Sequence, residues 1–214
     1  MRSLPSGLGC AGLMQRFILA LLLVLLATTG LVSCGAPLPN YPYAKEPDPR
    51  RAEYVIGVGD TLRIRIWKNP ELNTDIQVRP DGTITMPLIG DVHAADLTPT
   101  QLKHEIKKKM SVFIKDEAAV VTVAVTDVRS YRVTVSGNVA QPGVITAERY
   151  LTVLEAVALA GGPSRFASPA ETKIIRIGSD GKVRHIPVRY DLLAEGEHLE
   201  MNLVLLRGDQ VFVP

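Results

Sequence analysis

The sequence predicts an α+β protein made of two small units in tandem, each a set of short strands covered by one helix. Three observations carry this. Leu62, Ile64 and Ile66 alternate with Arg63, Arg65 and Trp67, the period of a strand with one buried face. Two helix starts share one signature, Thr98 with Gln101 and Thr152 with Glu155, a capping box in which the cap residue and the one three later satisfy each other's backbone N–H groups. Each start follows a turn signal, Pro80-Asp81-Gly82 in one half and Gln141-Pro142-Gly143 in the other, so the halves echo one another. With 46% hydrophobic and 21% charged residues in 214, the composition is that of a folded protein rather than a disordered chain.

The first element in the chain is not part of that fold. Arg16 precedes an apolar run from Phe17 to Ala27, too short to span a bilayer comfortably and followed by small residues, so residues 1–33 read as a secretory signal peptide. Met14 stands directly before Gln15-Arg16 and leaves the start codon open between Met1 and Met14. Leu31-Val32-Ser33-Cys34 has the form of a bacterial lipobox, with cleavage between Ser33 and Cys34 and acylation of Cys34. Each buried methylene of an acyl chain contributes about 0.8 kcal/mol, so several chains on one cysteine anchor a protein firmly. The competing reading keeps the apolar run as a membrane anchor and makes Cys34 an ordinary thiol. Cys10 and Cys34 are the two cysteines, and cleavage leaves one acylated sulfur with no partner for a disulfide. Removing Arg2 and Arg16 from the 24 basic side chains leaves 22, equal to the 22 acidic ones. A near-neutral chain without a basic stripe interleaved with aromatics excludes nucleic acid as a partner. Gly35 rather than Asp after the cysteine fits the sorting habit of Gram-negative lipoproteins that travel to the outer membrane.

Residues 34–53 are rich in proline and poor in apolar pattern, which fits either a semi-rigid tether extending roughly 3 Å per residue and holding the folded part off the lipid, or a merely disordered leader. The first folded unit spans 54–128. Its strand at Leu62 to Trp67 is followed by the run Val78 to Val92, read as strand, tight turn at Pro80-Asp81-Gly82 and strand. The helix capped by Thr98 has Pro99 at its first position and Leu97 placed to staple onto Leu102. Leu102, Ile106 and Met110 form its buried stripe, with Lys103, Lys107 and Lys108 toward water. Ala119 to Val125 closes the unit as a strand with Val121, Val123 and Val125 on one face.

The second unit spans 129–214. Tyr131 to Gly137 and Val144 to Thr146 are strands around the Gln141-Pro142-Gly143 turn. The helix capped by Thr152 ends at Gly161-Gly162-Pro163, and its residues from Val153 to Ala160 leave almost no polar side, which predicts burial across a sheet. Strands at Thr172 to Ile177 and Val183 to Val188 flank an Asp180-Gly181 turn, and Gly208-Asp209 precedes a last strand.

Little in the sequence can do chemistry. Gly57-Val58-Gly59 begins like a dinucleotide fingerprint, but Leu62 stands where the third glycine belongs and a strand follows instead of a helix. Gly161-Gly162 lacks the Lys and Thr of a phosphate loop. His93, His104, His185 and His198 have no metal-ligand spacing, and Ser136 lacks the flanking glycines of a nucleophile elbow. Asp60, Asp81, Asp91, Asp180 and Asp209 sit beside glycines at turns, where a carboxylate caps backbone N–H groups, leaving no acid and base pair for glycan cleavage. Neither an enzyme, a metal centre nor a cofactor site is expected.

The blocks Tyr54 to Trp67, Val78 to Val92 and Leu97 to Leu102, in this order, resemble the N-terminal domain of the outer-membrane polysaccharide export lipoproteins. Val135 to Val139, Gln141-Pro142-Gly143 and Ala160-Gly161-Gly162 are similar to the soluble-ligand-binding β-grasp (SLBB) domain of the same family. The resemblance implies a polysaccharide-export domain followed by an SLBB domain, in a periplasm-facing lipoprotein that forms a passage for capsular or exopolysaccharide. It also implies a homo-oligomeric ring, an octamer by family analogy, an inner-membrane polysaccharide co-polymerase as partner, and a separate outer-membrane β-barrel. Long family members carry two β-grasp copies and a C-terminal pore helix, whereas this sequence has one copy and ends at Pro214, so the expectation is that it does not pierce the membrane alone. A rival reading is a glycan-binding or scaffolding lipoprotein without a passage.

Overall fold

The computed structural model of the chain describes residues 37–113, 120–178 and 180–214. Leu38 to Pro214 form one compact unit, within which two β-sheet domains each enclose a core. In the first domain β1 (Thr61–Ile66) is central, with β2 (Thr74–Gln77) and β5 (Val121–Asp127) antiparallel on either side. Leu62, Ile64 and Ile66 point inward as their alternation requires, and Ile64 faces Val123 across the ladder. A separate hairpin of β3 (Thr83–Met86) and β4 (Gly90–His93) contributes Ile84, Met86 and Val92 to the same core. Helix α1 (Pro99–Met110) lies against β4 and β5 through Leu102, Ile106 and Met110, all at most 4% exposed. Both halves of its capping box form, Gln101 N–H donating to Thr98 Oγ1 and Thr98 N–H to Gln101 Oε1.

The run from Val78 to Val92 differs from its sequence reading in one respect. Pro80-Asp81-Gly82 does turn, with Gly82 N–H donating to Arg79 O at 2.9 Å, and Asp81 holds Thr83 N–H. That turn hands the chain from one sheet to another, because the strand before it, β2, pairs with β1. The hairpin closes instead at Pro87-Leu88-Ile89, where Leu88 takes φ 71. A branched side chain at positive φ carries no sequence signal for a turn, which is why the glycine-containing turn drew the prediction.

In the second domain the strands run in the order β7 (Gly143–Thr146), β6 (Arg132–Gly137), β10 (Gln210–Val213), β8 (Thr172–Ile177) and β9 (Val183–Val188). The last strand enters the middle of the sheet, parallel to β6 and antiparallel to β8. Gly137 permits this closure: its φ is 89, and a Cβ there would overlap the Val213 carbonyl. Helix α2 (Val153–Leu159) packs Val153, Ala156 and Val157 on the sheet, with α3 (Tyr190–Ala194) beside it. The helix lies across the sheet as expected but buries one face only, since Ala158 faces water and Leu159 is 59% exposed. One sheet can cover only one face of a helix two turns long.

Residues 38–52 correct the tether reading. Tyr41 and Tyr43 pack with ring centroids 5.1 Å apart and planes tilted by 54°, Tyr43 is buried in the second domain's core, and its hydroxyl donates to Pro187 O on β9. Glu46 follows with its carboxylate on Arg176 and Arg184. The prolines stiffen this strap, yet two tyrosines and one acid have partners in the second domain. That domain is therefore completed by residues that precede the first domain in sequence.

Glu46→Ala strips one partner from a nearly buried arginine, a loss on the order of 3 kcal/mol, lowering the melting temperature by roughly 6–12 °C. Trypsin should cut the variant faster at Lys45. An unchanged melting temperature and unchanged cleavage would show that the strap is not held this way.

Candidate functional site

Three features gather where the strap and the two domains meet. The first is a buried charge cluster. Arg176 occupies an inward position of β8, where alternation calls for an apolar residue, with its side chain 2% exposed. It donates to both oxygens of Asp209, at 2.9 Å from Nε and 2.6 Å from Nη2, and through Nη1 to Glu46 at 2.7 Å. Burial acts to lower the Arg176 pKa, but the two carboxylates outweigh it and hold the guanidinium above its ordinary range. Tyr41 donates to Glu46 at 2.5 Å, and burial followed by that carboxylate pushes its phenol up. Burial likewise raises Tyr43, to about 12.

The second feature is Asp60, which is fully buried. Its Oδ1 accepts from the backbone N–H groups of Arg129 and Ser130, both at 2.8 Å. Its Oδ2 accepts from Gly57 N–H at 2.8 Å, Tyr54 hydroxyl at 2.6 Å and Ser130 Oγ at 3.0 Å. Burial, then the bond to Asp60, raises the Tyr54 pKa. A first-domain carboxylate thus satisfies the backbone where the second domain begins. Arg207 reinforces the junction by donating to Asp96 at 2.8 Å, and a Cβ on Gly57 would overlap both Arg207 and Ser130.

The third feature is a pair of concavities. A cleft of about 460 Å³ is walled by Pro49, Arg50 and Ala52 of the strap, by Tyr54, and by Arg149, Tyr150, Thr152 and Glu155 of the second domain. A recess of about 40 Å³ lies beside it, sharing Tyr54, Arg149 and Tyr150. A further cleft of about 650 Å³ lies around Trp67 at the end of β1.

Of the five aspartates read as caps, Asp60, Asp81, Asp180 and Asp209 accept backbone N–H groups, the last two from Lys182 and Leu206. Asp91 instead accepts from Thr85 Oγ1 at 2.6 Å and from Arg79, because its neighbour across the hairpin is a threonine. Gly161 and Gly162 both take positive φ at the end of α2, as a helix terminus requires. Among the described residues no group of three or more His, Cys, Asp or Glu side chains could hold a metal ion. Ser33 and Cys34, expected as the cleavage and lipid-attachment residues, lie outside the described residues. The sequence reading missed the long-range roles of Asp60, Arg176 and Asp209. A cation at an inward strand position, as in Thr172-Lys173-Ile174-Ile175-Arg176-Ile177, was the available signal, since it demands a buried acid.

Comparison with known proteins agrees with this two-domain plan. Residues 48–126 match the family described as polysaccharide biosynthesis/export protein, and residues 132–187 match the SLBB domain. The chain is 34% identical over 129 residues to the exopolysaccharide production protein ExoF of Rhizobium meliloti, covering 54% of this chain and 30% of that one. It is 29% identical over 184 residues to the EPS I polysaccharide export outer membrane protein EpsA of Ralstonia solanacearum, with 74% and 46% covered. To the capsule polysaccharide export outer membrane protein CtrA of Neisseria meningitidis it is 26% identical over 177 residues, with 73% and 43% covered. The chain spans less than half the length of these curated relatives. The chain thus carries one polysaccharide biosynthesis/export domain followed by one SLBB domain.

Proposed function

We propose that this protein is a periplasm-facing lipoprotein of the outer membrane that serves, as a homo-oligomeric ring, in the export of capsular or exopolysaccharide, and that it is not an enzyme. The observation that carries the reading is the succession of the two matched domains, shared in that order with relatives named for exopolysaccharide and capsule export. Its partners in this reading are the exported polymer, an inner-membrane polysaccharide co-polymerase and a separate outer-membrane β-barrel. Among the described residues no helix is long and apolar enough to cross a membrane. Among the described residues β2 and β5 are edge strands of their sheet, which supports assembly, since unpaired strand edges offer backbone groups to a neighbour. The Leu31-Val32-Ser33-Cys34 motif after an apolar run supports Cys34 as the acylated residue.

Deleting the gene should abolish surface polysaccharide while intracellular polymer or its lipid-linked precursor persists, and a plasmid copy should restore the surface layer. Unchanged surface polysaccharide in the deletion strain would refute the export role. For the anchor, Cys34→Ser should eliminate incorporation of labelled palmitate and leave unprocessed precursor. Labelling equal to that of the natural protein would place the lipid elsewhere.

A further inference from the structure

We infer that the cleft between the strap and the two domains is a saccharide-binding subsite, shaped for a neutral sugar residue of a glycan chain. The inference rests on the export reading above for its ligand class, and on the geometry of this chain for its location and its preference.

The cleft's aromatic wall is Tyr150. Its ring stands edge-on to Tyr131 with centroids 5.2 Å apart, and Tyr131 is itself fixed, donating its hydroxyl to Leu205 O at 3.1 Å and receiving Leu151 N–H at 2.9 Å. Tyr54, the other aromatic in the lining, is committed to Asp60 and Ser130 through its hydroxyl. The Tyr150 hydroxyl, by contrast, has no hydrogen-bond partner among the described residues, although the side chain is partly buried. A rigid aromatic ring with a spare hydroxyl suits one face of a pyranose, which presents C–H groups to the ring and hydroxyls at its rim.

The polar groups decide which sugar. Arg149 Nη1 donates to Glu155 Oε1 at 2.8 Å, and Arg50 makes a fork with Asp48, 2.9 Å from Nε and from Nη2 to its two oxygens. Each cation at the cleft is therefore already matched by a carboxylate. A charged ligand finds no unmatched counter-charge here, whereas sugar hydroxyls both donate and accept and can use the spare lone pairs and N–H groups of both pairs. The Arg149 and Glu155 side chains are 67% and 37% exposed, so their outer edges are open to such a partner. A volume of about 460 Å³ lies in the range of small-molecule sites and accommodates one or two sugar units.

The test is a titration of the detergent-solubilised full-length protein, followed by amide chemical shifts, with neutral hexasaccharides of glucan, mannan and galactan type and an acidic oligogalacturonate. At least one neutral hexasaccharide should give saturable shifts centred on Arg149, Tyr150 and Glu155 and exceed the acidic one in affinity. Tyr150→Ala should weaken that binding about tenfold, the worth of a lost aromatic contact with its hydroxyl. Arg149→Gln, at an exposed position that cannot unfold the domain, should weaken it several-fold, while Trp67→Ala leaves it unchanged. Shifts confined to another surface, tighter binding of the oligogalacturonate, no saturable response to any of the four, or indifference to both Tyr150→Ala and Arg149→Gln would each overturn the subsite. The export reading is judged separately, by surface polysaccharide in the deletion strain, and survives any of those results.

Discussion

A buried carboxylate needs hydrogen-bond donors to offset its desolvation, and Asp60 is held by five hydrogen bonds from both sides of a domain boundary. Three of the donors are backbone N–H groups, of Gly57 in the turn before β1 and of Arg129 and Ser130 leading into β6. Hydrogen bonds to a charged group are worth about 1.5–3 kcal/mol each, and leaving such donors unsatisfied costs a comparable amount. The geometry of the junction follows from that constraint. Gly57 must lack a side chain, Ser130 must be small, and Tyr54 must stand where its hydroxyl reaches Oδ2. The cleft beside Tyr54 and Tyr150 exists because these walls are fixed relative to one another.

The charge cluster around Arg176 does the same work between the strap and the second domain. Placing a guanidinium inside a β-sheet is unfavourable by itself, and two carboxylates offset the desolvation. One of them, Asp209, comes from the turn before the central strand, so the cluster ties β8 to the entry of β10. The other, Glu46, comes from the strap. The chain thus visits the second domain, builds the first, and returns, which ties the N-terminal approach of the protein to its C-terminal domain.

What the sequence made legible was what is local. The capping boxes at Thr98 and Thr152 were readable because their partners are three residues apart, and both form. The strands Thr172–Ile177 and Val183–Val188 were readable from the glycine-containing turn between them. The parallel pairing of β6 with β10 was not, since Val135 meets Val211 across 76 residues and nothing in either strand marks its partner. The strap escaped because proline content outweighed Tyr41, Tyr43 and Glu46 in the reading of residues 34–53. Asp60 was read correctly as a cap but not as a clasp, because three of its five bonds come from residues about 70 positions away. The resemblance named the domain order, while the cleft needed all three segments to be placed before it could be seen.

If the junction is one cooperative structure, its buried donors cannot open without unfolding the chain around them. Native-state hydrogen exchange measures this for each amide as a function of denaturant. The account predicts that Gly57, Arg129 and Ser130 exchange through the same opening as the core strands β1 and β6, with the same free energy and the same denaturant dependence. Exchange of these three amides through a local opening of lower free energy, while β1 and β6 stay protected, would contradict it.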